Sequence, residues 1–380
     1  MAHARPAAVL LAAALAGALA ASAGPAAGAR PGHPARTSAC QNGAEWPAGF
    51  RPYAPTSYWN RPMPSGAHPR LLPDSDAMVH RAQDGAPGRT VRVNAQGSGW
   101  DEGHPVVFTS ARDPLVVPRC KTYCNPVYLT RPFRIPARAR AGDGSDRHLA
   151  VVQPDGTEID LWAVDQPERD WRDGDTIAFG SGNTCGNFFS GPGFGRETST
   201  VGGACLGAGL IRAAELRAGT IPHALFTTVD CGAHAFVYPA TQPIDNVCSG
   251  PGPHVPNGAH LWLDLSDAQI AALPVRGWEK TILRALHRYG AYVEDTGSGG
   301  ERAHGLFAPW FEDDAQYSAF GRRNPLAAWA REQSWQPVPI RARTAAHRPT
   351  TWFTFSENWA PLDWASHLHV VDPCYARGAC

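Results

Sequence analysis

The sequence predicts a mainly β protein, a β-sandwich or jelly roll carrying a few short helices. Three observations predict it. Short apolar runs alternate with turn residues along most of the chain; 39 Gly and 35 Pro punctuate strands better than they suit helices; and one hairpin has turn chemistry and an apolar pattern that agree on a single register.

The clearest strands are Thr90 to Val93, Pro105 to Thr109, Val127 to Leu129, His148 to Gln153, Glu158 to Val164, Ala224 to Val229, Ala235 to Tyr238 and Ala259 to Leu265. Thr351 to Phe355 and His367 to Val371 form a later set. Ala213 to Ala218 reads as a short helix, and Ser266 caps another, because its hydroxyl can accept a free backbone N–H. The best helix runs from Trp278 to Tyr289: Ile282, Leu283, Leu286 and Tyr289 share one face, and Gly290 ends it.

The hairpin joins His148–Gln153 to Thr157–Trp162 through Pro154-Asp155-Gly156. Pro fits the second position of a type I turn, and Gly can then take a left-handed bulge conformation. That loop pairs Gln153 with Thr157. Counting back by twos puts Leu149, Val151, Ile159 and Leu161 on one face and His148, Ala150, Asp160 and Trp162 on the other. A second strand repeats the device, with Leu261, Leu263 and Leu265 opposite His260, Trp262 and Asp264.

Residues 1–29 read as a secretory signal peptide. A short start holding Arg5 precedes the apolar run Ala7 to Ala20, and small-residue cleavage patterns follow at Ala21-Ser22-Ala23 and Ala27-Gly28-Ala29. The run is too short to span a bilayer comfortably, so no membrane anchor is expected. Residues 30–45 form a Pro-, Ala- and Gly-rich lead-in, and 46–380 form a single β-rich domain. All nine cysteines lie beyond the signal, which fits a secreted, extracellular protein. The expected bridges are Cys120–Cys124, Cys185–Cys205, Cys231–Cys248 and Cys374–Cys380, with Cys40 left over.

A formal net charge of +0 leaves no basic footprint for nucleic acid. The nucleophile elbow, the phosphate-binding loop, the H-E-x-x-H helix and the dinucleotide fingerprint are all missing from the sequence. His367 and His369 share a strand face, but two histidines without a third ligand do not make a metal site. No metal and no cofactor are expected.

Polar groups beside indole rings on a sheet face suit a sugar, whose C–H faces stack on the ring while carboxylates take its hydroxyls. The partner is therefore expected to be a polysaccharide or cell-wall glycan, acted on by a monomer. The expected activity is glycoside hydrolysis, with Asp160 and Asp295 as the two carboxylates. His148 and His223 orient them; Trp162, Trp262 and His260 bind substrate. Asp295 is preferred over Glu294 because it abuts the loop Thr296-Gly-Ser-Gly-Gly300. Two alternatives stand beside this: a polysaccharide lyase using His and Tyr, and a carbohydrate- or cell-wall-binding module without catalysis.

Three stretches carry a resemblance. Gly209 to Leu225, Ala285 to Gly297 and Ser145-Asp-Arg-His-Leu149 are similar to a group of uncharacterised secreted actinobacterial proteins. That group carries G-L-I-R-x-x-E-L-x-x-G-x-I-x-H-A-L, A-L-x-x-Y-G-x-x-x-x-D and D-x-H-L stretches. The resemblance covers roughly residues 145 to 297 and implies secretion and one continuous fold, but no reaction. The Cys-bounded insertions at 185–205 and 231–248 depart from the group's pattern.

Overall fold

The computed structural model describes residues 40–64, 68–85, 92–95, 103–124, 129–142, 146–195, 200–296, 307–341, 351–358 and 364–380. The expected signal peptide, most of the lead-in and the strand at Val127 lie outside them. In chain order the first strands are β1 (Arg92–Ala95), β2 (Val106–Phe108), β3 (Leu115–Cys120), β4 (Phe133–Arg134) and β5 (Leu149–Val152). Next come β6 (Thr157–Trp162), β7 (Thr176–Phe179), β8 (Ser181–Asn187), β9 (Leu225–Val229) and β10 (His260–Leu263). The last are β11 (Ala291–Thr296), β12 (Ala308–Pro309), β13 (Gln336–Arg341), β14 (Thr351–Asn358) and β15 (Leu368–Val371).

They form four sheets, ordered β12-β9-β11-β10-β15, β2-β5-β6-β8, β4-β3-β7 and β1-β14-β13. The molecule is sheet-rich with few helices, as its turn-residue content predicts. A jelly roll is antiparallel, and here β2 with β5, β3 with β7, and β9 with β11 pair in parallel. Parallel neighbours need a long crossover. For β9 and β11 the connection holds β10 and the helix Gly277–Arg288.

Period-two alternation decides what each sheet face meets. In the five-stranded sheet, Leu225, Leu261, Leu263, Ala291 and Val293 pack with Trp278, Ile282, Leu283 and Leu286 of that helix. The opposite face turns Phe226 and Tyr292 into a second core with Trp46, Phe50, Tyr53, Tyr58, Trp59 and Phe188. Val106, Ala150 and Val152 of the four-stranded sheet close this core from the other side. The outer face of that sheet, Val107, Leu149, Val151, Ile159 and Leu161, packs on Val116, Phe133, Ile177 and Phe179. An aromatic layer thus lies between two sheets, and each sheet has a further apolar layer behind it.

The hairpin register is the expected one: Leu149 pairs with Leu161, Ala150 with Asp160 and Val151 with Ile159. Gly156 N–H donates to Gln153 O at 2.8 Å, and Gly156 has φ of 89°. The helices Ala213–Ala218 and Asp267–Ala272 form as expected, the second with Ser266 accepting from Gln269 N–H. The main helix runs one residue earlier than expected, Gly277–Arg288, and gives way at Gly290. Ala235–Tyr238 forms no extended ladder among the described residues: it holds a single bridge from Phe236 to Asn257. Helices Ser75–Gly85 and Pro325–Glu332 were not anticipated.

All four expected disulfides are present and Cys40 is free. Cys185–Cys205 ties β8 to a segment running between the two central sheets and closes a loop of sequence separation 20. Replacing both cysteines by Ala should cost about 3 kcal/mol in urea unfolding. An unchanged midpoint would show that the bridge constrains nothing.

Candidate functional site

The hairpin that aims His148, Asp160 and Trp162 inward also aims Glu158, because residues two apart on a strand share a face. What meets that face is protein. Gly202 to Leu210 is buried throughout and runs through the aromatic layer, where Ala204, Leu206 and Ala208 join the core. Buried away from ladders, its N–H groups need other acceptors.

Carboxylates supply two of them. Leu206 N–H donates to Asp160 Oδ2 at 3.1 Å, and Gly207 N–H donates to Glu158 Oε1 at 3.0 Å. Tyr53 O–H adds a bond to Glu158 Oε2 at 2.9 Å. From the facing sheet, the Glu294 backbone carbonyl takes Gly202 N–H at 2.8 Å, and the Glu294 carboxyl lies against Gly202. Gly207 is required by close approach: a Cβ there would lie 2.7 Å from Phe188 and 3.1 Å from Glu158 Oε1. The Asp160 carboxyl also abuts both sulfurs of Cys185–Cys205. Bonded to each other, those sulfurs are not metal ligands.

Burial disfavours the charged form of each acid. It pushes Glu158 up to about 7 and Asp160 well above the usual carboxylate range, where the Glu158 charge adds to the rise. His148 is buried beside His104, ring centroids 4.7 Å apart, and His104 also meets Trp310 at 4.2 Å. Burial, then His148, hold His104 well below its ordinary value, so it is neutral. Nothing in the sequence around His104 marked it.

His223 lies in a different buried group. Its Nε2 contacts Glu215 Oε1 at 3.0 Å and its Nδ1 contacts Ala224 O at 2.8 Å. Glu215 also takes the buried Arg212 guanidinium, which donates a second bond to Phe50 O at 2.6 Å. This is a buried core triad, in which Arg212 Nε has no hydrogen-bond partner. Trp262 is 6% exposed, donates Nε1–H to His287 O at 2.8 Å and stands among His68, His287 and His369. His260 is stacked on Tyr292 at 4.2 Å, with Nε2 on Tyr289 O at 2.9 Å.

Two of the expected residues reach the rim. Trp162 is half-buried and donates Nε1–H to Asp146 Oδ1 at 2.8 Å. Tyr123 stands against it, 66% exposed, with ring centroids 5.8 Å apart and planes at 36°. Asp295 is half-buried at the end of β11. Strand alternation would put it with Ala291 and Val293 in the helix-side core. A bulge between Val293 and Asp295 breaks the alternation, so Asp295 pairs with Thr228, two residues beyond Phe226. Bulges re-aim side chains in this way. Asp295 Oδ1 also accepts from Thr296 N–H at 2.7 Å. Desolvation first, then the charge of Asp146, push Asp295 up to about 8. Glu294, inside, is pushed up to about 8 by burial.

The structure therefore brings Asp146, Trp162 and Tyr123 together at the rim, leaves Asp295 half-buried at the end of β11, and keeps Asp160, His148 and His223 in the interior. Asp146 and Tyr123 were not singled out from the sequence. The signal for Asp146 was the D-x-H-L stretch that contains it, and Tyr123 had none beyond its Cys-bounded turn. No protein-family model matches this chain, and neither a curated protein nor a solved structure matches it.

The interior acids make stability pH-dependent in a definite sense. An acid whose folded pKa is raised binds its proton more tightly in the folded state. Its contribution is full below the ordinary pKa and is lost as pH climbs to the folded value. For Glu158 that window runs from 4.5 to about 7. Glu158→Gln removes the titration, so its stability relative to wild type should improve across that window. The expected gain is on the order of 1 to 3 kcal/mol, read by urea unfolding at pH 5 and pH 8. Parallel pH profiles would refute a raised Glu158.

Proposed function

We propose that the protein is a secreted glycan-active enzyme, a glycoside hydrolase working at the rim formed by Asp295, Asp146, Trp162 and Tyr123. The observation that carries this reading is a half-buried carboxyl at the end of β11, raised by desolvation and then by the charge of Asp146, whose own carboxylate holds an indole ring. Glycoside hydrolysis needs an acid with a raised pKa and a second carboxylate. Asp295 fits the first role, protonating the leaving oxygen as the glycosidic C–O bond breaks. Asp146 fits the second, activating water or attacking the sugar carbon. Trp162 and Tyr123 offer ring faces for the sugar. Asp146 thus takes the part first given to Asp160, whose burial and bond to Leu206 N–H favour a structural role.

The rest of the reading is consistent with this. Four disulfides suit an oxidising compartment, and among the described residues no helix is long and apolar enough to cross a membrane. Export by the N-terminal signal, membership of the actinobacterial group, action as a monomer, and a sandwich-like stacking of the two central sheets belong to the same proposal. The exposed Tyr123 beside Trp162 also fits a binding module that stacks sugars without cutting them.

A screen of bacterial, plant and fungal polysaccharides, scored for both reducing-end release and binding, separates these readings. Asp295→Asn should lower release by roughly 10²- to 10⁴-fold while glycan binding persists. Wild-type release should fall as pH rises through about 8, where Asp295 loses its proton. Binding lost in Trp162→Ala with no product at any pH would establish the module instead. Release unaffected by Asp295→Asn would sink the hydrolase.

A further inference from the structure

A groove of about 720 Å3 lies where the turn of the β5–β6 hairpin meets the segment leading into β4. Ligand pockets run from roughly 300 to 1,000 Å3, and this groove shares no residue with the rim. Thr157 and Ile159 of β6 line it, and so does Thr184 of β8, which pairs with Ile159. By alternation they lie on the sheet face opposite Asp160 and Trp162. Thr157 stands about 17 Å along the strand from Trp162. Groove and rim thus occupy opposite faces and opposite ends of one hairpin.

The groove is held in place by its own hydrogen bonds. Gln153 grips both backbone groups of Arg134, accepting from its N–H at 3.0 Å and donating to its carbonyl at 2.9 Å. At the turn, Asn187 Nδ2 donates to Asp155 O at 3.0 Å, and the Asp155 carboxylate takes Thr157 N–H at 2.9 Å. The floor is apolar: Phe133 and Ile159 are buried, and Leu115 beside them is 41% exposed.

The wall carries two arginines. Arg131 is exposed and, among the described residues, makes no hydrogen bond and no ion pair. Arg134 is half-buried and gives Nη1 to Asp113 O, a neutral carbonyl, so its charge is not balanced either. Against them the lining holds one carboxylate, Asp155, already committed to the turn. The Thr157 hydroxyl is not sealed from water and makes no hydrogen bond among the described residues. The exposed Thr184 hydroxyl has only a 3.5 Å contact with Asn183 Oδ1. A planar guanidinium fork matches a carboxylate, while free hydroxyls over an apolar floor match the hydroxyls and C–H face of a sugar.

We propose that this groove binds an acidic glycan, its uronate carboxylates on Arg131 and Arg134 and its ring hydroxyls on Thr157 and Thr184. The inference rests on the glycan reading of the protein but not on chemistry at the rim. With a single carboxylate the groove lacks the pair that hydrolysis needs, so it holds the chain without cutting it.

Isothermal titration of the wild-type protein with trigalacturonate tests it, with maltotriose and triglutamate as controls. Maltotriose is a sugar without carboxylates, and triglutamate carries carboxylates without sugar. Trigalacturonate should bind about tenfold or more tighter than either. Arg131→Gln should weaken it at least about tenfold; the side chain is exposed and bonded to nothing, so this variant should fold. Trp162→Ala should bind as wild type. In the wild-type protein the Thr157 and Thr184 amide resonances should shift on saturation while the Trp162 indole N–H stays fixed. Failure to saturate at millimolar trigalacturonate, equal binding of a control, Arg131→Gln binding as wild type, or binding lost in Trp162→Ala would each overturn the groove. Glycan release that persists alongside any of these results would leave the hydrolase standing. Groove binding with no release from any glycan would sink the hydrolase alone.

Discussion

The structure depends on how the backbone between Val201 and Gly209 is satisfied. This segment lies between two sheets and belongs to neither ladder, yet most of it is sealed from water. A buried N–H without an acceptor costs about 1 to 3 kcal/mol. Two such groups are taken by carboxylates of β6: Asp160 receives Leu206 and Glu158 receives Gly207. From β11, the Glu294 carboxyl packs against Gly202, so one stretch of chain is held between both sheets. Gly202 N–H to Glu294 O at 2.8 Å and the Cys185–Cys205 bridge hold it further. The small residues Gly202, Gly203, Ala204, Gly207, Ala208 and Gly209 leave space for the carboxyls and rings that crowd it.

The same arrangement accounts for the acids in the core. An ionised carboxylate is expensive to bury, and backbone N–H bonds offset only part of that cost. The remaining desolvation raises the carboxyls above their ordinary values. Glu158 and Asp160 lie two residues apart on one strand face, so the charge of Glu158 adds to the rise of Asp160. Tyr53 O–H completes Glu158 from a loop 105 residues away in sequence.

Much of the local structure was legible in the chain. The Pro154-Asp155-Gly156 turn specified the hairpin register, Ser266 and Gly290 marked helix ends, and close cysteine spacings matched the four bridges. What lay on the polar strand face was not legible. His148, Asp160 and Trp162 alternate with apolar residues whether that face meets water, a sugar or a polar segment of the same protein. Only a contact between Leu206 and Asp160, 46 residues apart, decides among these. The parallel pairing of β9 with β11 and the closure of Arg61 by Tyr375, 314 residues away, are long-range in the same way. The bulge at Glu294 was hidden because alternation through Asp295 reads as unbroken in the sequence.

That bulge separates two uses of one acidic strand end. Without it, Asp295 would follow Val293 into the helix-side core of aliphatic and aromatic side chains. With it, Asp295 turns to the inter-sheet side at the margin of the layer, and Glu294 remains inside against Ala204. Both carboxyls are raised to about 8 by desolvation, so pKa alone does not distinguish a structural acid from a chemical one. Access does. Glu294 is 0% exposed, and a substrate could reach it only by displacing the segment it holds. Asp295 is half-buried and feels the charge of Asp146, whose own partner is a half-exposed indole. A proton retained at the rim can be given to a ligand; the same proton in the interior serves the backbone.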